Sequence, residues 1–210
     1  MPQRQHMKRA TRNPERTRQE IIEKSSPIFN QHGYAGTKME MIIQATGFQK
    51  GGIYNHFDSK MDLARAVFKY NFSLLQASYT KELHPSDTPK EQLFAFLNSF
   101  QTALTNPPVK GGCPLLNMAV EADNTDETNR LLVKDALNEW KDLLEQILQL
   151  GIASGDFQKD INATQEAFFM IASIEGSIML GQVKRSIGLM MGVADSLRKY
   201  VELRILNSPS

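Results

Sequence analysis

The residues best suited to chemistry lie in one short run, F-Q-K-G-G-I-Y-N-H-F-D-S-K, spanning residues 48–60. Lys50 and Tyr54 are four residues apart, so on a helix they share a face. An ammonium and a phenol hydroxyl on one face can both reach the phosphates of a nucleic-acid backbone, and such contacts position a protein on a duplex. Gln49 carries an amide that can pair with adenine in the major groove. Asn55 and His56 complete the contact set, although a histidine placed like His56 more often packs or caps than reads a base. Gly51 and Gly52 each cost a helix roughly 1 kcal/mol relative to alanine. Their missing side chains would let the backbone approach a groove closely. Lys60 and the N–H groups after Ser59 form an anion site at a helix N-terminus, and Thr37 with Lys38 offers the same arrangement one helix earlier. No nucleophile, base and acid stand at a meaningful spacing. The single cysteine, Cys113, has no Cys/His cluster with zinc-site spacing around it. The expectation is a binding protein rather than an enzyme, with no cofactor and no metal.

Helices must position these groups. Almost every segment has helical periodicity, with prolines and glycines at the breaks. Asn13-Pro14, Thr37-x-x-Glu40, Ser59-x-x-Asp62, Thr88-Pro89-x-Glu91 and Asn162-x-x-Gln165 mark helix starts. They predict an all-α chain of about nine helices. Gly33 stops the first helix and Gly47 the second. The short helix over about 49–57 gains its stability from burial of Ile53 and Phe57 against helices 1 and 2, because a helix this short has little of its own. Charge is unevenly placed. Residues 1–60 hold ten Lys/Arg against five Asp/Glu, and residues 61–210 hold fourteen against eighteen. A basic head on a mildly acidic body suits an anionic polymer as partner of the head. Arg4, Lys8, Arg9 and Arg12 form a basic arm able to follow a groove or phosphates. No apolar run approaches the roughly 20 residues of a membrane span, and the N-terminus lacks the apolar stretch of a secretory signal. The expected location is cytoplasmic, with no membrane partner.

Two short helices joined at Gly47 fit a helix-turn-helix, whose second helix enters the major groove. The run from Tyr34 to Leu63 resembles the signature of TetR-type transcriptional regulators. Gly33, Tyr34, Thr37, Ile42, Gly47, Gly51, Ile53, Tyr54, His56, Phe57, Ser59, Lys60 and Leu63 match its pattern. The departures are Gln49 where a small capping residue is usual, Ile43 for a frequent alanine, and Gly52 where Ala, Thr or Ser is commoner. The resemblance implies a DNA-binding head over residues 1–60 and a ligand-binding, dimerising body over 61–210. It implies a repressor released from palindromic double-stranded operator DNA by a small-molecule effector.

In the body, Gly176, Ser177 and Gly181, with the stripe Met190, Val193, Leu197, Tyr200 and Val201, predict a homodimer through the last two helices. Candidate ligand contacts are Phe94, Phe100, Cys113, Asn117, Met118, Glu121, Trp140, Phe168, Phe169 and Glu175. The aromatic and methionine side chains among them suit an apolar or aromatic ligand, with Asn117, Glu121 and Glu175 as polar contacts. Met170 belongs to the same group. Cys113 precedes Pro114 at the start of a helix, where the helix dipole lowers a thiol pKa. That opens a second reading, an electrophile- or redox-sensing repressor acting through Cys113. A helical ligand-binding protein without DNA function is a third, should the two glycines leave the short helix too weak.

Overall fold

The structure, a computed structural model, describes residues 13–122 and 127–207. The basic arm lies outside the described residues. Among the described residues, nine α-helices follow in order: α1 Pro14–Gly36, α2 Met39–Thr46, α3 Lys50–Tyr54, α4 Lys60–Thr80, α5 Pro89–Thr105, α6 Pro114–Ala122, α7 Glu127–Ser154, α8 Ala163–Lys184 and α9 Ile187–Tyr200. A π-helical turn, Val201–Ile205, extends α9.

Most starts are capped as their sequences require. The side chains of Asn13, Ser59 and Asn162 accept from the N–H groups of Glu15, Asp62 and Gln165, and Thr88 with Glu91 closes a reciprocal capping box. Thr37 differs. Its hydroxyl donates to Gly33 O at 2.6 Å and its N–H donates to the same oxygen, so Thr37 closes α1 instead of capping α2. Gly33 leaves the helical region at φ 69°, and one further turn follows it before the chain reverses. Gly47 ends α2 at φ 74°, its N–H donating to Ile43 O at 2.9 Å. Only a residue free to adopt that left-handed conformation turns the chain so sharply into α3.

Two cores result. Ile21, Ile22 and Phe29 of α1 pack with Ile42, Ile53, Phe57, and Leu63, Ala64 and Val67 of α4. The second core takes Phe68, Phe72 and Tyr79 from the same α4, together with Leu93, Phe96, Trp140, Leu144, Met170 and Ile174. One helix therefore serves both cores. A buried bond from Ser26 Oγ to Asn71 Oδ1, 2.5 Å, fixes α1 against α4.

The expected dimer stripe is partly internal. Leu197 and Val201 are buried in the body core, Gly181 packs on Met190 of α9, and the Ser177 side chain is buried with its hydroxyl donating to Ile174 O. The exposed apolar surface lies elsewhere on the same pair of helices. Phe169, Met179, Leu180 and Val183 of α8 continue into Ile187 of α9, and Gly176 opens onto free space among them. α8 is long and apolar enough, by length and composition, to cross a membrane. In this fold one side of it fills the core, which leaves the other side as an apolar surface.

Candidate functional site

In the head, Ile53 and Phe57 are 1% and 2% exposed and root the α3 segment in the core. With those two side chains inward, Gln49, Lys50, Gly51, Tyr54 and Asn55 face outward, while Gly52 and His56 are half-buried. Gln49 precedes α3 without spending its side chain on a cap, so its amide is not tied to the helix start. Gly51 and Gly52 do not have positive φ. A Cβ on Gly51 would meet nothing within 4 Å, and one on Gly52 would meet only the Phe48 ring at 3.9 Å. Among the described residues, nothing requires glycine at either position.

Two residues expected near DNA phosphates have other employment. Thr37 is buried, with both its donors on Gly33 O. Lys60 donates from Nζ to Tyr34 O at 2.9 Å and Thr37 O at 2.8 Å, and its ammonium sits over the Tyr34 ring at 4.2 Å. It fastens the start of α4 to the α1–α2 corner. The first turn of α4 already holds an anion, because the Asp62 carboxylate accepts from Asp58 N while Asp62 N is capped by Ser59. Lys38, before α2, is exposed.

In the body, a cavity of about 190 Å³ is bounded by α4, α5, the 107–113 loop, α7 and α8, with Met190 of α9 at its edge. Its lining includes Tyr79, Phe96, Phe100, Cys113, Trp140 and Ile174. Tyr79 and Trp140 stack with centroids 5.8 Å apart and planes 7° from parallel. The expected ligand residues divide into three groups. Phe100, Cys113 and Trp140 line the cavity, and Glu175 stands beside Cys113. Asn117, Met118 and Glu121 instead belong to the joint between head and body. Phe94 lies under Arg198, and Phe168 and Phe169 are exposed on α8, so these three are outside the cavity. Met170 is core. Tyr79 escaped attention because it sits in the middle of a long, regularly patterned helix, where nothing marks a cavity wall.

Cys113 is 5% exposed, and burial pushes its thiol well above the ordinary range. The neighbouring Glu175 carboxylate pushes the same way and outweighs the N–H groups of Leu115 and Leu116 in the first turn of α6. The helix-dipole effect exists but loses to desolvation. The electrophile-sensor reading loses its physical basis, since its nucleophile would be a thiolate. Glu175 is itself pushed up to about 7 by burial, opposed by the Cys113 thiol.

The joint is a set of backbone bonds. Asn117 Nδ2 donates to Asn30 O at 2.9 Å and Gly111 O at 3.0 Å; Asn30 Nδ2 donates to Lys110 O and Gly112 O. Glu121 accepts from Tyr34 N at 2.6 Å and Ala35 N at 3.1 Å. The 107–113 loop thus forms a wall of the cavity on one side and grips the end of α1 on the other.

Comparison with known proteins matches the chain in two stretches. Residues 21–67 match the model for bacterial regulatory proteins of the tetR family, and residues 89–196 match the tetracyclin repressor-like C-terminal domain. A TetR transcriptional regulator from Chloroflexus aurantiacus is 32% identical, with a TM-score of 0.87 over 93% of this chain and 98% of that one. The chain belongs to the TetR family. A TetR-family regulator from Cytophaga hutchinsonii is 33% identical, with a TM-score of 0.84 over 93% of this chain and 98% of that one. The HTH-type transcriptional repressor DhaR of Mycobacterium sp. is 27% identical over 169 residues, 80% of this chain and 84% of that protein. As a TetR-family protein the chain is a DNA-binding transcriptional regulator of repressor type, and α2 and α3 are its helix-turn-helix.

In this TetR-family head, the freedom around Gly51 separates folding from binding. Gly51→Ala is expected to stabilise the folded chain by about 0.5–1 kcal/mol, because alanine is the better helix former and nothing obstructs its methyl. The same substitution is expected to weaken duplex binding. Thermal melts and gel shifts on one preparation measure both effects. Unchanged operator affinity would remove the close-approach role of this glycine.

Proposed function

We propose that the chain acts as a homodimeric repressor. Its head, residues 1–60, reads operator DNA through the α3 turn. Its body, residues 61–210, takes a small apolar or aromatic effector in the cavity of about 190 Å³. The observation that carries this reading is the outward face of residues 49–55, rooted by Ile53 and Phe57 beneath it. Gln49 reads a base edge, Lys50, Tyr54 and Lys38 hold phosphates, Asn55 and His56 flank them, and Gly51 and Gly52 admit the backbone. Thr37 and Lys60 set the angle between α1, α2 and α4 without touching phosphate. Such a regulator works in the cytoplasm, where the DNA is.

The exposed stripe of α8 and α9 supports the dimer. An apolar surface of this kind is expected to be covered in solution, and a two-fold pairing of these helices builds a four-helix bundle. The two heads then face successive major grooves about 34 Å apart. Effector binding favours the arrangement of α4 and the 107–113 loop that carries the heads off this spacing. The coupling equals the difference in effector affinity between the two arrangements.

Lys50→Ala is expected to lower operator affinity and to reduce the slope of log K against log salt by about 1. Tyr54→Phe is expected to cost up to about tenfold, the loss of one hydrogen bond. Gel shifts at several salt concentrations measure both, and unaltered binding in both variants refutes the assigned contacts. Val183→Glu, on the open face of α8, is expected to give monomers by sedimentation velocity and to abolish tight operator binding. A stable dimer of that variant would place the interface elsewhere.

A further inference from the structure

Four described residues bury polar side-chain atoms with no hydrogen-bond partner: Ser25, Tyr79, Trp140 and Glu175. Two of the four line one cavity, and Glu175 adjoins it through Cys113. Tyr79 and Trp140, 5% and 3% exposed, line it. Neither carboxylate oxygen of Glu175 meets a nitrogen or oxygen donor; the residue follows the lining Ile174 in α8 without lining the cavity itself, and beside it stands the weak donor Cys113, which does line it. Native cores leave few such groups, and each costs the desolvation of an unmade bond, most of all a carboxylate. A core needing only bulk here would use phenylalanine and leucine. The unmet groups are of both kinds: an indole N–H that only donates, a phenol that donates or accepts, and a carboxylate that accepts while ionised.

Building on the reading of this cavity as the effector site, we infer that it selects a small single-ring aromatic bearing a hydroxyl. The ring fills the apolar space along the stacked Tyr79 and Trp140. The hydroxyl oxygen accepts from Tyr79 or Trp140, and its proton is offered to Glu175. A hydroxyl is the smallest group that accepts and donates at once. The size agrees, since a cavity of about 150 Å³ holds benzene and this one is about 190 Å³. An amine in its charged form would satisfy Glu175 but leave the Trp140 indole N–H, which can only donate, unmet. A purely apolar ring would leave all three groups as they are.

Trp140 is the chain's single tryptophan, so its fluorescence reports the cavity directly. Titrating the full-length protein with para-cresol, para-methylanisole and para-xylene, three rings of similar shape, reads the polar recognition, with calorimetry as a second readout. Para-cresol is expected to bind at least about tenfold more tightly than para-xylene, the worth of one or more well-made hydrogen bonds. Para-methylanisole, which only accepts, is expected between them. Tyr79→Phe and Glu175→Gln, near-isosteric changes, are each expected to cut the para-cresol preference several-fold and to leave para-xylene affinity unchanged. Equal affinities for the three rings, or a preference that survives in both variants, would overturn the hydroxyl assignment while leaving an apolar effector site standing. Failure of every ring to perturb Trp140 in a folded protein would overturn the cavity reading as well.

Discussion

A five-residue helix containing two glycines has almost no stability of its own, because nucleation alone exceeds what five residues return. α3 exists because Ile53 and Phe57 are held in a core made by α1, α2 and α4. That burial fixes which face of α3 is left outside, and the residues able to meet a duplex occupy that face. The glycines therefore sit on a surface whose backbone is positioned entirely from beneath. In the proposed function, this lets the helix give up side chains where the duplex comes close. Gly47, turning the chain at φ 74°, completes the constraint by setting α2 and α3 at their angle.

The same head is coupled to the body at two points. α4 belongs to both cores. The 107–113 loop touches the cavity with Cys113 and Val109, and holds α1 through Asn30 and Asn117. Gly111, at φ 109°, lies so close to α1 that a Cβ there would fall 2.6 Å from Asn30 O. The Glu121 carboxylate binds the N–H groups just beyond the Gly33 break. Lys60 then binds the carbonyls of Tyr34 and Thr37 from the far side. The α1–α2 corner is thus fixed from the body and from α4 at once, and these bonds are the short route by which the proposed effector response would reach α3.

Much of this was legible in the sequence, for a physical reason. Caps, glycine stops and helical periodicity are local, and Asn13, Gly47, Ser59, Thr88 and Asn162 act as their neighbours dictate. The spacing of Lys50, Ile53, Tyr54 and Phe57 likewise separates an inward from an outward face. Interactions between distant segments were not legible. Lys60 has the type and position of a phosphate ligand, and only the fold shows its ammonium against Tyr34, 26 residues away. Thr37 carries a capping pattern but bonds backwards to Gly33. Cys113 occupies a helix start, which favours a thiolate, inside a core that disfavours it more. The cavity had no periodic signature, so aromatic residues on α8 suited it by type although they lie on the outer surface.

The central claim is that the α3 turn meets DNA with its backbone. A structure of the protein on its operator duplex measures this most directly. The account predicts Gly51 in van der Waals contact with the major groove, and Lys50 and Tyr54 on phosphates beside it. A complex in which residues 49–52 face solvent, with the duplex held by another surface, would contradict it.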